Sequence, residues 1–128
     1  MKKINYKDMY PIHVKEILKD EIKFENVDEI CNFFIGKVNA HPFTKYIGFF
    51  NHYAHTENIQ DCEIVENIKN AKNVLFCFGK KLLDPKVLAV RPRSIGVCET
   101  ESHFVISFME APNPLLTKVM ISWVDDLS

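Results

Sequence analysis

RPRSIGVCETESHFVISFMEA, residues Arg91 to Ala111, is the segment around which the other elements of the chain are arranged. It opens with the only two arginines of the chain, Arg91 and Arg93, around Pro92. Two β-type runs follow, separated by the polar pair Glu101-Ser102. In the first, Ile95 and Val97 alternate with Ser94, Gly96, Cys98 and Thr100; the second is dense in β-branched and aromatic residues from His103 to Glu110. Period-two alternation puts successive side chains on opposite faces of a strand, so the stretch predicts a β-hairpin at the centre of the fold.

On its C-terminal side, Asn113-Pro114 pairs a capping residue with a proline at the first helical position. Leu115, Leu116, Val119, Met120, Trp123, Val124 and Leu127 then recur at helical spacing and predict an amphipathic helix. On its N-terminal side, Asp84-Pro85 repeats the cap-and-proline signal for one or two helical turns that Pro92 ends. Asn73 to Gly79 is a short apolar run that reads as a buried central strand. Ile59, Cys62, Val65 and Ile68 recur every third residue, which predicts a short, partly exposed helix within residues 56–70. Thr44 to His55 alternates and is rich in aromatics, predicting a strand, bulged at Gly48.

Further back, Asn26 and Glu29 form a capping-box pair ahead of the stripe Val27, Ile30, Cys31, Phe34 and Val38. That helix runs to Pro42 and favours an edge strand within His13–Phe24 before it. Residues 1–10 are polar and read as frayed or extended. The expected class is therefore α+β: one domain over residues 1–128, a two-layer sandwich in the order β-α-β-(α)-β-(α)-β-β-α. Its helices cover one face of a mixed or antiparallel sheet.

Composition sets outer bounds. Forty-seven percent apolar residues are enough for a core without disulfide or metal staples, and a net charge of −1 argues against a nucleic-acid or membrane-surface protein. Neither a signal peptide nor a membrane-length apolar run is present, which points to the reducing cytoplasm and four free thiols. The spacing of Cys31, Cys62, Cys77 and Cys98 contains no CxxC.

The motifs VLFCFG (Val74–Gly79), DPKVLAV (Asp84–Val90), RPRSIGVCE (Arg91–Glu99) and HFVISFMEAP (His103–Pro112) stand in an order that resembles a bacterial family known as domain of unknown function three-zero-two. The resemblance spans residues 14–127 and implies a small α+β domain that often dimerises and has no settled activity. Members of that family tend to carry a cysteine where Arg93 stands, so the likeness implies no thiol-pair chemistry here.

Three constellations bear on function. His52 and His55 invite a transition-metal or haem reading, but in a strand a spacing of three sends the rings to opposite faces, whereas a helix would unite them. Arg91 and Arg93 offer guanidinium forks suited to a small anionic ligand or an acidic partner. They could instead close salt bridges to Glu99 or Glu110, or cap carbonyls at the end of the preceding helical turn. Cys98 and His103 flank the hairpin turn and could pair as nucleophile and base, while Cys77 lies in an apolar run that favours burial.

The expected function is a binding or accessory module, homodimeric through exposed aromatics such as Tyr46, Phe50 and Tyr53, that takes a small anionic ligand or an acidic partner on Arg91 and Arg93. The alternative is a ligand-dependent enzyme or a haem or metal protein using His52, Cys98 or Arg93. A pocket in which an arginine converges with Cys98, His103 or His52 would favour the enzyme.

Overall fold

A computed structural model describes all residues, 1–128. Six antiparallel strands form one sheet in the spatial order β1-β2-β6-β5-β4-β3. They are β1 Lys2–Tyr6, β2 Tyr10–Leu18, β3 Thr44–Phe50, β4 Ile68–Phe78, β5 Arg93–Thr100 and β6 His103–Met109. The helices are α1 Val27–Ala40, α2 His52–Glu57 and α3 Pro114–Asp125, and the 3-10 turns Lys19–Glu21 and Pro85–Val90 complete the chain. The hairpin of β5 and β6 lies at the centre of the sheet, with β4 beside β5 and β2 beside β6.

Alternation along the strands separates two faces. Val74, Phe76 and Phe78 of β4, Ile95 and Val97 of β5, and Phe104, Ile106 and Phe108 of β6 are buried on one of them. Against that face pack α1, through Val27, Ile30, Phe34 and Val38, and α3, through Met120, Trp123 and Val124. Trp123 stacks on Phe78 at 5.7 Å between ring centroids and meets Phe76 edge-on at 5.5 Å. Packed aromatics of this kind bury large areas and add specific ring–ring attraction, so they fix where α3 lies over the sheet.

The caps behave as their chemistry requires. The Asn26 side chain accepts from the Glu29 amide at 2.9 Å, and the Glu29 carboxylate accepts from the Glu25 amide, one residue before the partner expected of a capping box. Asn113 accepts from the Leu115 amide, and Asp84 from the Lys86 amide. The predicted stripe of α3 is narrower than expected: Leu115 is exposed, and Thr117 takes a buried place instead. The Thr117 hydroxyl is satisfied there, accepting from the Ala111 amide at 3.0 Å.

Four expectations are corrected. The segment before α1 is not an edge strand, because β1 pairs with β2 and becomes the edge itself. Their turn uses Lys7 and Asp8 at positive φ, 51° and 61°, without the Asn-Gly or Asp-Gly pair that marks such turns. Second, the strand from Thr44 stops at Phe50: Asn51 accepts from the Ala54 amide at 3.0 Å and starts α2 at His52. Third, residues 58–67 form no helix; the chain turns there, with Asp61 at φ 58°, and β4 begins as early as Ile68. Fourth, the register shift between Tyr46 and Gly48 does bulge β3, but it also separates Tyr46 and Phe50, expected together as exposed aromatics of a dimer. Tyr46 pairs with Phe76 and packs against the core, whereas Phe50 pairs with Asn73 on the other face.

That other face carries no long helix. Short α2 stands at its corner, where His52, Tyr53 and Thr56 share a hollow with Ile68 and Ala71. No helix of the chain is long and apolar enough to cross a membrane.

Candidate functional site

Arg93 begins β5 on the same side of the strand as Ile95 and Val97, so its side chain starts toward the core and ends half-buried at the rim. There the guanidinium bridges two chain ends. One Nη donates to the carbonyl of Val90, the last residue of the 3-10 turn, and the other to the carbonyl of Met109, the last of β6. Its Nε–H is buried and finds no partner. Burial holds the guanidinium pKa below its ordinary value. Burying a charge without a counter-charge is costly, and no carboxylate lies within salt-bridge distance of either arginine.

The carboxylates expected to neutralise them are engaged elsewhere. Glu99 pairs with Lys19 at 2.7 Å, and Glu110 pairs with Lys3 at 3.0 Å and with His13 at 3.2 Å. Of the structural roles open to Arg93, capping the preceding turn is therefore the one realised. Arg91 donates from one Nη to the Lys81 carbonyl at 2.8 Å.

Both arginines line one small cavity of about 130 Å³. Phe78, Val87, Val90, Ala111 and Leu116 supply its apolar wall. The cavity thus has a wall of low polarity and two guanidinium groups of one sign, an arrangement that raises the attraction for an anion above what an exposed arginine offers.

The other candidate residues lie apart from it. Cys98 is half-buried on the outer face of β5, opposite Ala71 on one side and Val105 on the other. Its thiol pKa is raised by burial first and by the neighbouring Glu99 second, which keeps it protonated. His103 is turned to Ser102, with Nδ1 at 2.8 Å from the hydroxyl, and makes no hydrogen bond with Cys98. Cys77 is half-buried rather than enclosed, because it occupies an outward position of β4. His52 belongs to the hollow beside α2.

The histidine geometry reverses the expectation drawn from a strand. As i and i+3 of α2, His52 and His55 share a side, their ring centroids 6.1 Å apart, and both rings pack near Phe50. The His52 Nδ1 lies 3.1 Å from the Thr56 hydroxyl. No group of three or more His, Cys, Asp or Glu side chains is gathered in metal-binding geometry.

Sequence reasoning missed the His13–Glu110–Lys3 cluster. His13 is buried in the core-facing series of β2, stacked on Phe108 at 5.2 Å, and reaches the Glu110 carboxylate. The hydrogen bonds from Lys3 and His13 hold the Glu110 carboxyl below the usual range. Period two along YPIHVKEIL would have placed His13 with Ile17, had β2 been read as an interior strand.

Fold and site together define a class: a small α+β protein with two helices on one face of an antiparallel sheet and an arginine-lined cavity at its rim. The chain belongs to the Family of unknown function (DUF6858), whose model matches residues 1–128. That match overturns the resemblance to family three-zero-two, which rested on an element order that many two-layer α+β domains share. No curated protein and no solved structure matches the chain.

Proposed function

We propose that this chain is a binding module that takes a small anion, a carboxylate or a phosphate-sized group, through Arg91 and Arg93. The observation that carries the reading is the shared cavity: two guanidinium groups without a carboxylate partner, one of them with a buried, unpaired Nε–H. At about 130 Å³ the space corresponds to about four water molecules, which fits an acetate or phosphate, or the acidic side chain of a partner protein. The enzyme alternative lacks equivalent support, because Cys98, His103 and His52 do not line this cavity.

Titration calorimetry with acetate, a short dicarboxylate and inorganic phosphate tests the proposal. At least one should bind, and Arg91→Ala should abolish the heat while leaving the thermal midpoint within a few degrees. Absence of binding to all three at millimolar concentration refutes it.

The partner we propose is a second copy of the chain. The support is the uncovered sheet face: from Ala71 onward, the outward residues of β4, β5 and β6 include no Asp, Glu, Lys or Arg. Half-exposed Leu75, Cys98 and Val105 lie on it, and an uncharged patch can meet its own copy without like-charge repulsion. Tyr46, one of the aromatics first assigned to such an interface, instead packs against the core. A monomeric mass by light scattering at micromolar concentration refutes the dimer.

A further inference from the structure

The connection from β4 to β5 concentrates two properties that are dispersed elsewhere. Between Gly79 and Arg93 stand five basic residues, Lys80, Lys81, Lys86, Arg91 and Arg93, and one acid, Asp84. With the whole chain at −1, the rest of the molecule therefore carries five more acids than bases. The acid of the segment is occupied as a cap, accepting from the Lys86 amide at 2.9 Å. None of the five basic side chains is in a salt bridge.

The same segment holds the two most exposed leucines of the chain, Leu83 at 83% and Leu82 at 71%, together with Leu88 at 66%. Leu82 and Leu88 border an open hollow with Ile47 and Arg91, and Ile47 is itself exposed. The Arg91 bond to the Lys81 carbonyl ties the two arms of the segment together beside that hollow. Exposed leucines in one segment with cations that have no carboxylate partner supply the two components of an interfacial membrane anchor: apolar side chains for the acyl boundary and positive charge for anionic headgroups.

We infer that this segment docks the protein on an anionic lipid surface, Leu82 and Leu83 entering the interface and Lys80, Lys81, Lys86 and Arg91 meeting the headgroups. Lipid fits better than a protein groove. The segment joins cations that have no carboxylate partner to exposed leucines, which matches the negative headgroups and apolar boundary of an anionic bilayer. The net charge of the chain, which argued against membrane association, averages over this asymmetry. The inference goes beyond the anion cavity: of its residues only Arg91 lines that cavity, and the tested positions Lys80, Lys81, Leu82 and Leu83 do not.

The test is co-sedimentation of the full chain with vesicles of phosphatidylcholine alone or mixed with phosphatidylglycerol, at low and high salt. The protein should sediment with the mixed vesicles at low salt and be released by high salt. Two cations near an anionic surface are together worth roughly a thirty-fold change in partitioning, so Lys80→Gln/Lys81→Gln should weaken binding by about that factor. Leu82→Gln/Leu83→Gln, exposed substitutions that leave the core intact, should weaken it at least about tenfold. Far-UV circular dichroism confirms that each variant is folded. Failure to sediment with the mixed vesicles overturns the inference, as does sedimentation that neither variant weakens. Capture of an acidic leucine-bearing peptide by protein that ignores vesicles would overturn it in favour of a protein partner.

Discussion

Phe76 and Leu75 are adjacent in β4 yet lie on opposite faces, so truncating each in turn measures how differently the two faces are covered. Phe76 is 0% exposed and touches the rings of Phe78, at 5.6 Å, and Trp123, at 5.5 Å. Phe76→Ala removes most of a buried side chain from a close-packed layer, for which the expected cost is about 3–5 kcal/mol. With an unfolding entropy of roughly 2.1 cal/mol/K per residue, a loss of about 4 kcal/mol should lower the thermal midpoint by about 15 °C. Leu75→Ala removes a side chain that is already half-exposed in the monomer, and about 1 kcal/mol or less should be lost, a shift of about 4 °C. Trp123 is the only tryptophan and sits in the Phe76 cluster, so urea unfolding followed by its fluorescence reports both variants. Far-UV circular dichroism checks that the transition is global. Equal losses for the two variants at low protein concentration would refute the one-sided core. A Leu75→Ala loss that grows with protein concentration would instead mark association through the outer face.

Other perturbations follow from single groups. The Cys31 thiol is pushed up to about 11 from an ordinary 9.0, by burial first and by Asp28 second. Because the folded value is the higher one, its stabilising contribution is intact below pH 9 and lost as pH rises through 11; about 2–3 kcal/mol is at stake over that range. Cys31→Ser should remove that alkaline slope from midpoint-versus-pH curves, and a slope unchanged by the substitution refutes the assignment. For Glu110 the folded value is lowered, so its contribution is present above the ordinary 4.5 and disappears as pH falls through the folded value. Glu110→Gln should flatten the acid side of the same curves, and an unchanged acid limb would show the Lys3 and His13 contacts to be unimportant. Asn26→Ala deletes the bond to the Glu29 amide and should cost about 1 kcal/mol by chemical denaturation, whereas Asn26→Ser should cost almost nothing.

The legible parts of the fold were those where a local signal and the tertiary environment agree. The hairpin of β5 and β6 alternates in step with its burial, and α1 carries both its cap and its stripe. The Asp84-Pro85 turn is likewise marked by local chemistry. The illegible parts lack such agreement. The β1–β2 turn forces Lys7 and Asp8 into positive φ with no glycine to announce it. At HYAHTE, aromatic and histidine residues mimic a strand, while the deciding evidence is the single cap Asn51. That one misreading also separated His52 from His55. The placement of Arg91 and Arg93 at the rim was legible, because they adjoin a proline-terminated turn. The cavity they line was not, since Phe78, Ala111 and Leu116 reach it from three other parts of the chain and no local pattern records their meeting.

The bulge in β3 has a consequence for crowded solutions. An open sheet offers its two outermost strands to any passing extended chain, and strand-by-strand growth from such a border is how many sheet proteins are lost to fibrils. Here one border is β3, whose ladder is broken between Tyr46 and Gly48, and the other is the five-residue β1, which begins Lys2-Lys3. Neither gives an incoming strand a long, straight and uncharged template. Excising Ile47 would restore an unbroken register along β3, and the shortened protein should gain thioflavin-positive aggregation that the full chain resists.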